Sequence, residues 1–100
     1  MPEEMKQFVG SWKKLTNSTC SLVYPKLIEF KADGLYSGTG MEPGNVPGWD
    51  VGTWKIVSRN QVKISTINDA IITYEFSIYG DILTFEDPNK CKFQYQKVRQ

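Results

Sequence analysis

From Asp33 onward, residues that break strands recur roughly every ten positions, and between them apolar and polar side chains alternate. The breaks fall at Ala32-Asp33-Gly34, Ser58-Arg59-Asn60, Asn68-Asp69, Gly80-Asp81 and Asp87-Pro88-Asn89-Lys90. Asp-Gly favours a tight hairpin whose two central residues both tolerate positive φ. Asp-Pro-Asn-Lys suits a type I turn with proline in second place. The pattern predicts strands near 10–16, 26–32, 35–41, 50–58, 61–67, 70–79, 82–86 and 91–98. Ile72, Tyr74, Phe76 and Ile78 share one face of a strand, with Thr73, Glu75, Ser77 and Tyr79 on the other. Phe93 and Tyr95 oppose Lys92, Gln94 and Gln96, and Trp54 and Ile56 oppose Thr53 and Lys55. Period-two segments of this kind have one dry face and one wet face. The connections are too short for parallel crossovers, so the strands must run antiparallel. An open sheet of about eight strands would leave its apolar face and both edges exposed, and closure removes both problems. Nearly every connection is a short hairpin, which favours an all-β, up-and-down meander barrel over a Greek-key sandwich.

Residues 1–100 are the size of one domain. A core this small gains most from large rings, and aromatics make up 13% of the chain. Before the first strand, Pro2-Glu3-Glu4-Met5-Lys6-Gln7-Phe8 reads as a short N-terminal helical turn. Proline suits its first position, acids sit at the positive end of its dipole, and Met5 and Phe8 form its buried edge. Basic residues number 12 and acidic residues 11, spread along the chain without a stripe. That lacks the electrostatic footprint of a nucleic-acid binder. No polybasic amphipathic segment points to a membrane surface, and no apolar run approaches the length of a span. Met1-Pro2-Glu3-Glu4 carries no hydrophobic stretch, so a cytoplasmic location is expected for the chain as written.

Phe8-Val9-Gly10-Ser11-Trp12 places a Gly-x-Trp at the opening of the first strand, after a helical turn. In this it resembles the start of lipocalins and of small bacterial lipocalin-like (calycin-type) β-barrel domains. The resemblance implies that Trp12 plugs one end of the barrel and that a basic residue of the last strand, Lys97 or Arg99, lies across it. In a closed meander residues 97–99 would lie near 10–12, and a cation over an indole is worth about 0.5–2 kcal/mol. A second Gly-x-Trp-Lys, Gly52-Thr53-Trp54-Lys55, echoes Gly10-Ser11-Trp12-Lys13. It reads either as a duplicated half or as a recurrent way of bending a strand at glycine beside a bulky plug.

Cys20 and Cys91 are the only cysteines. Pairing of the first and last strands would bring them close, so they are either a disulfide or two small buried hydrophobes in a reducing cytoplasm. With no histidine in the chain, a zinc site is disfavoured and Ser-His and Cys-His nucleophiles are excluded. Acid–base chemistry would fall to Glu29, Glu75 or Glu86; the first two sit at outward parity and the third at a strand end. Neither a catalytic residue nor a cofactor is expected.

The longest irregular stretch, 38–50, is Gly38-Thr39-Gly40-Met41-Glu42-Pro43-Gly44-Asn45-Val46-Pro47-Gly48-Trp49-Asp50. It lacks the Gly-Lys-Ser/Thr ending of a phosphate loop. Its prolines and glycines suit a compact loop that presents residues to a partner, with Trp49 as a contact residue, a lid, or a ring packed on the barrel rim. Asn17-Ser18-Thr19 matches the glycosylation sequon, a triplet that arises often by chance. The inward rings Tyr36, Trp54, Tyr74, Phe76, Phe93 and Tyr95 either line a pocket for an apolar ligand, with tyrosine hydroxyls orienting it, or fill the interior. Lys14 shares parity with Trp12, so it either bulges outward or turns its ammonium to the mouth, where it could meet an acidic ligand group. The expected function is therefore a non-enzymatic binding module for a small apolar ligand. The alternative is a protein-interaction or protease-inhibitor module using the 38–50 loop; in length and expected fold the chain resembles staphostatins, which are lipocalin-like inhibitors of cysteine proteases.

Overall fold

A computed structural model describes residues 3–15, 18–40, 49–65 and 70–98. Its elements are helix α1 (Glu3–Phe8), β1 (Gly10–Lys14), a 3-10 turn (Thr19–Ser21), β2 (Leu27–Phe30), β3 (Leu35–Thr39), β4 (Val51–Ser58), β5 (Gln61–Ser65), β6 (Ile71–Tyr79), β7 (Ile82–Glu86) and β8 (Lys92–Lys97). Every strand pairs antiparallel with its sequence neighbour, and β1 also pairs with β8, so the sheet closes as β1-β2-β3-β4-β5-β6-β7-β8. Closure is read directly from register, with Trp12 opposite Lys97 and Lys14 opposite Tyr95.

The turns carry the conformations that their residues permit. At Ala32-Asp33-Gly34 only Gly34 has positive φ, +89°. The Gly34 amide donates to Lys31 O and the Lys31 amide to Leu35 O, which makes a three-residue loop ending in left-handed glycine. The expected pair of positive-φ residues is therefore replaced by one, and the Asp33 carboxylate instead accepts from the Leu35 amide. The same arrangement recurs after β7, where Lys90 donates to Asp87 O and takes φ of 68° in place of a glycine. At Gly80-Asp81, Gly80 has φ of +57° in the first central position, where a type II′ hairpin needs glycine. The Asn68-Asp69 turn lies outside the described residues, as does the Met5 side chain.

Alternation orients the rings. Tyr74 and Phe76 of β6, Leu83 and Phe85 of β7, and Phe93 and Tyr95 of β8 are buried, while Thr73, Glu75, Ser77 and Tyr79 are exposed. Phe8, at the end of α1, is fully buried and enters the barrel from below. Its ring stacks on Trp54 at 5.1 Å and meets Phe30 edge-on at 4.5 Å. These contacts explain why a six-residue helix is held at all, since a helix this short is marginal in water without tertiary packing.

Candidate functional site: the plugged base and the covered mouth

The base of the barrel is built around Gly10, Trp12 and Lys97. Trp12 is buried, and its Nε1 donates to Phe8 O at 2.9 Å. Lys97 Nζ lies 4.8 Å from the Trp12 ring centroid and donates to Val9 O at 2.6 Å and Gln7 O at 3.3 Å. One ammonium thus satisfies carbonyls around the end of α1 while its charge rests on the indole face. Gly10 makes this approach possible: its φ is +135°, and a Cβ there would fall 2.8 Å from Lys97 Cε. The structure therefore brings Gly10, Trp12 and Lys97 together, and Arg99 lies outside the described residues. An open depression of about 630 Å³ lies beside this cluster, between Gln7, Ile78, Asp81 and Lys97.

Two layers of rings fill the space above. The lower layer is Phe8, Phe30, Trp54 and Phe76. Trp54 Nε1 donates to Lys31 O at 3.0 Å and Leu35 O at 3.1 Å, so this second tryptophan anchors the β2–β3 hairpin. Phe85 joins the layers, 5.8 Å from Phe8 and 5.1 Å from Trp49. The upper layer centres on Trp49, which has no exposed surface. Its ring lies 4.9 Å from Tyr24, 5.2 Å from Tyr74 and 5.7 Å from Phe93, and its Nε1 donates to the Tyr74 hydroxyl at 3.1 Å. Trp49 is thus an interior ring at the end of the 38–50 stretch. Gly38 makes room for its chain, since a Cβ there would fall 2.9 Å from Trp49 O and 2.7 Å from Pro25 Cγ. Residues 41–48 lie outside the described residues, but both ends of the segment are fixed: the Gly38 amide donates to Asp50 O at 2.6 Å.

The mouth is covered by the chain between β1 and β2, and periodicity gives no hint of this. Tyr24 stacks on Phe93 at 3.9 Å and donates to Asp87 Oδ2 at 2.7 Å. Asp87 Oδ1 accepts from the Asn89 and Cys91 amides, each at 2.9 Å, so one carboxylate ties the cover to the β7–β8 turn. Tyr95 donates to Pro25 O at 2.6 Å. Lys14 Nζ bonds Ser21 O, and Tyr24 O at 3.1 Å, so its ammonium is spent on the cover's carbonyls. Cys20 and Cys91 are joined by a disulfide with Cα atoms 6.0 Å apart, a further tie between the cover and the start of β8. Periodicity does not mark Tyr24 as a core residue; the nearest signal is an aromatic standing before Pro25.

Burial leaves its mark on the phenols. Tyr24 is held well above the ordinary tyrosine range, first by desolvation and then by its hydrogen bond to Asp87. Desolvation raises Tyr95 in the same way. It also raises Tyr36, with Tyr74 and Asp50 adding to the shift, and Tyr74, where the hydrogen bond from Trp49 opposes it. Tyr36 reaches over Gly52, its cross-strand partner, to donate to Ser65 O, covering the bare backbone that glycine leaves.

Tyr36, Trp49, Trp54, Tyr74, Phe76 and Tyr95, the residues that would line a ligand pocket, are therefore all brought into one buried interior cluster. Glu29 and Glu75 are exposed and Glu86 is half-buried, and all three lie on outward positions. Among the described residues no group of three or more His, Cys, Asp or Glu is placed to hold a metal ion, and no helix is long and apolar enough to cross a membrane. Comparison with known protein families, curated proteins and solved structures finds no match.

Proposed function

We propose that this chain is a non-enzymatic, lipocalin-like protein-interaction module that uses the closed barrel as a rigid mount for the 38–50 segment. The observation that carries this reading is Trp49. An indole with no exposed surface, packed against Tyr24, Tyr74, Phe85 and Phe93, occupies the place where a lipocalin-type carrier would hold an apolar ligand. The same indole and the Gly38–Asp50 hydrogen bond pin the two ends of a segment rich in glycine and proline. Fixed ends lower the entropy that a loop loses on binding. Recognition then falls to residues 41–48, and Trp49 serves as their anchor.

The disulfide bears on where such a module works. A bond between Cys20 and Cys91 persists in an oxidising compartment and is rare in a reducing cytoplasm, which supports an extracytoplasmic setting over the cytoplasmic one expected from the sequence.

The test is a variant in which residues 41–48 become Gly and Ser at unchanged length, compared with wild type against a panel of cysteine and serine proteases. A second arm uses a photo-crosslinker placed at position 45. The reading expects wild type to inhibit a protease or to crosslink one saturable partner, and the loop variant to lose that binding with its melting temperature preserved. Partner binding unaffected by the loop exchange overturns it. So does stoichiometric binding of a fatty acid or retinoid inside the wild-type barrel, which would restore the carrier reading.

A further inference from the structure

Two cross-strand pairs on the outer surface set like charges face to face. Lys55 of β4 stands opposite Lys63 of β5, and Glu75 of β6 stands opposite Glu86 of β7. All four point outward, because Trp54, Val62, Ile64, Tyr74, Phe76 and Phe85 between them are buried. Directly opposed side chains have Cβ atoms only about 5 Å apart, where like charges destabilise a sheet. The sheet sets a countercharge opposite only one of the four. Lys63 faces Thr73 and Glu75 faces Gln61 across the β5–β6 pairing, and Lys63 and Glu75, diagonal neighbours there, form no ion pair. Lys92, opposite Glu86 on β8, is the one countercharge in register. Among the described residues the four side chains make no hydrogen bond or ion pair.

We propose that the outer face of β4–β7 is a self-complementary surface through which two copies of this chain associate. A two-fold axis lying in the contact, along the boundary between β5 and β6, lays β4 and β5 of each copy over β7 and β6 of the other. Lys55 and Lys63 of one copy then meet Glu75 and Glu86 of its mate, and the reverse. The basic and acidic pairs differ by one two-residue step along the strands, about 7 Å, which a lysine side chain can span. Two convex faces touch first along β5–β6, and long lysine side chains reach across the widening gap to either side. Ile71, 66% exposed, and Val57, 41% exposed, border the charges and gain cover. Shallow depressions of about 290 Å³ and about 230 Å³ flank the acidic pair, one lined by Ser77, Thr84 and Lys92 and one by Thr73, Asp87, Pro88 and Lys90. A second copy is favoured over an unrelated protein because the face carries two cations and two anions, and this chain presents the matching arrangement itself. A net charge of +1 adds almost no repulsion between copies. The contact is independent of what the 38–50 segment binds.

Sedimentation equilibrium of the purified chain at about 50 mM and about 500 mM salt reads the association, and the higher salt should weaken it at least tenfold. The double variants Lys55→Glu/Lys63→Glu and Glu75→Lys/Glu86→Lys, whose faces become wholly acidic and wholly basic, should each be monomeric at low salt. Mixed in equal amounts they should form a heterodimer. Lys55→Gln/Lys63→Gln, which adds no new charge, should weaken the homodimer and reads the same face if either reversed chain does not fold. A wild-type chain that stays monomeric at low salt and about 1 mM, or a dimer insensitive to all of these changes, overturns the proposal.

Discussion

Truncating Trp49 to alanine removes the ring around which the upper core is arranged, and its cost follows from the contacts. The indole is fully buried and touches Tyr24, Tyr74, Phe85 and Phe93. A tryptophan buries roughly 150–250 Å², which at about 25 cal/mol per Å² corresponds to about 4–6 kcal/mol as an upper bound. Incomplete collapse around the void and measured Trp→Ala changes place the expected loss at about 3–5 kcal/mol. The hydrogen bond to Tyr74 is lost as well, although that hydroxyl keeps Tyr24 as a neighbour. For a domain of this size the melting temperature should fall by roughly 15–30 °C. Urea unfolding followed by far-ultraviolet circular dichroism measures the loss without relying on the deleted fluorophore. Free indole should then refill the void and return about 1.4 kcal/mol at ten times its dissociation constant, while leaving wild type unchanged. A loss below about 1 kcal/mol, or equal stabilisation of wild type by indole, would refute the packing on which the reasoning rests.

Gly10→Ala should cost about 2–3 kcal/mol, because a side chain must adopt φ of +135° and meets Lys97 Cε at 2.8 Å. Adding Lys97→Ala should recover the steric part, a non-additivity that a double-mutant cycle in urea measures. Asp87→Ala should cost about 2–4 kcal/mol by unpairing the Tyr24 hydroxyl and two amides, and Asp87→Asn, which retains an acceptor, should cost less. For pH, Tyr24, Tyr36, Tyr74 and Tyr95 all have folded pKa values raised above the unfolded one. The stability they confer is present below about pH 10 and falls above it, by about 1.4 kcal/mol per pH unit for each phenol, because the unfolded chain releases protons first. Absorbance near 295 nm and circular dichroism should therefore change together on alkaline titration; ionisation of these four phenols in a still-folded barrel would contradict the assignment.

Most of the architecture was legible because barrel information is local. Glycine, Asp-Pro and Asn-rich breaks set strand ends, and alternation fixed which ring of each strand faces in, so Tyr36, Trp54, Tyr74, Phe76, Phe93 and Tyr95 were all assigned inward. Closure followed from the unpaired edges of an open meander, and the pairing of β1 with β8 sets Lys97, one of the two basic residues that the lipocalin resemblance suggested, opposite Trp12. What escaped was held by contacts distant in sequence. Tyr24 belongs to a stretch without period, and its position depends on Asp87 and Phe93. Trp49 follows a glycine-rich loop, which suggests an exposed contact, a lid or a ring on the barrel rim, whereas it is buried inside the barrel. The choice is made by space left at Gly38 and by the hydroxyl of Tyr74. The cysteine pair was open for the same reason: pairing of β1 with β8 brings Cys20 and Cys91 near, but only the fold of the cover sets their separation.

The claim beneath the whole account is that the barrel is filled by its own tryptophan. Nuclear Overhauser contacts from the Trp49 indole N–H test it most directly. They should connect that proton to the Tyr74 ring and the Trp49 ring protons to Phe85 and Phe93, with the N–H exchanging slowly against solvent. An indole N–H that exchanges freely and shows no contact with those rings would place Trp49 outside and leave the interior open for a ligand.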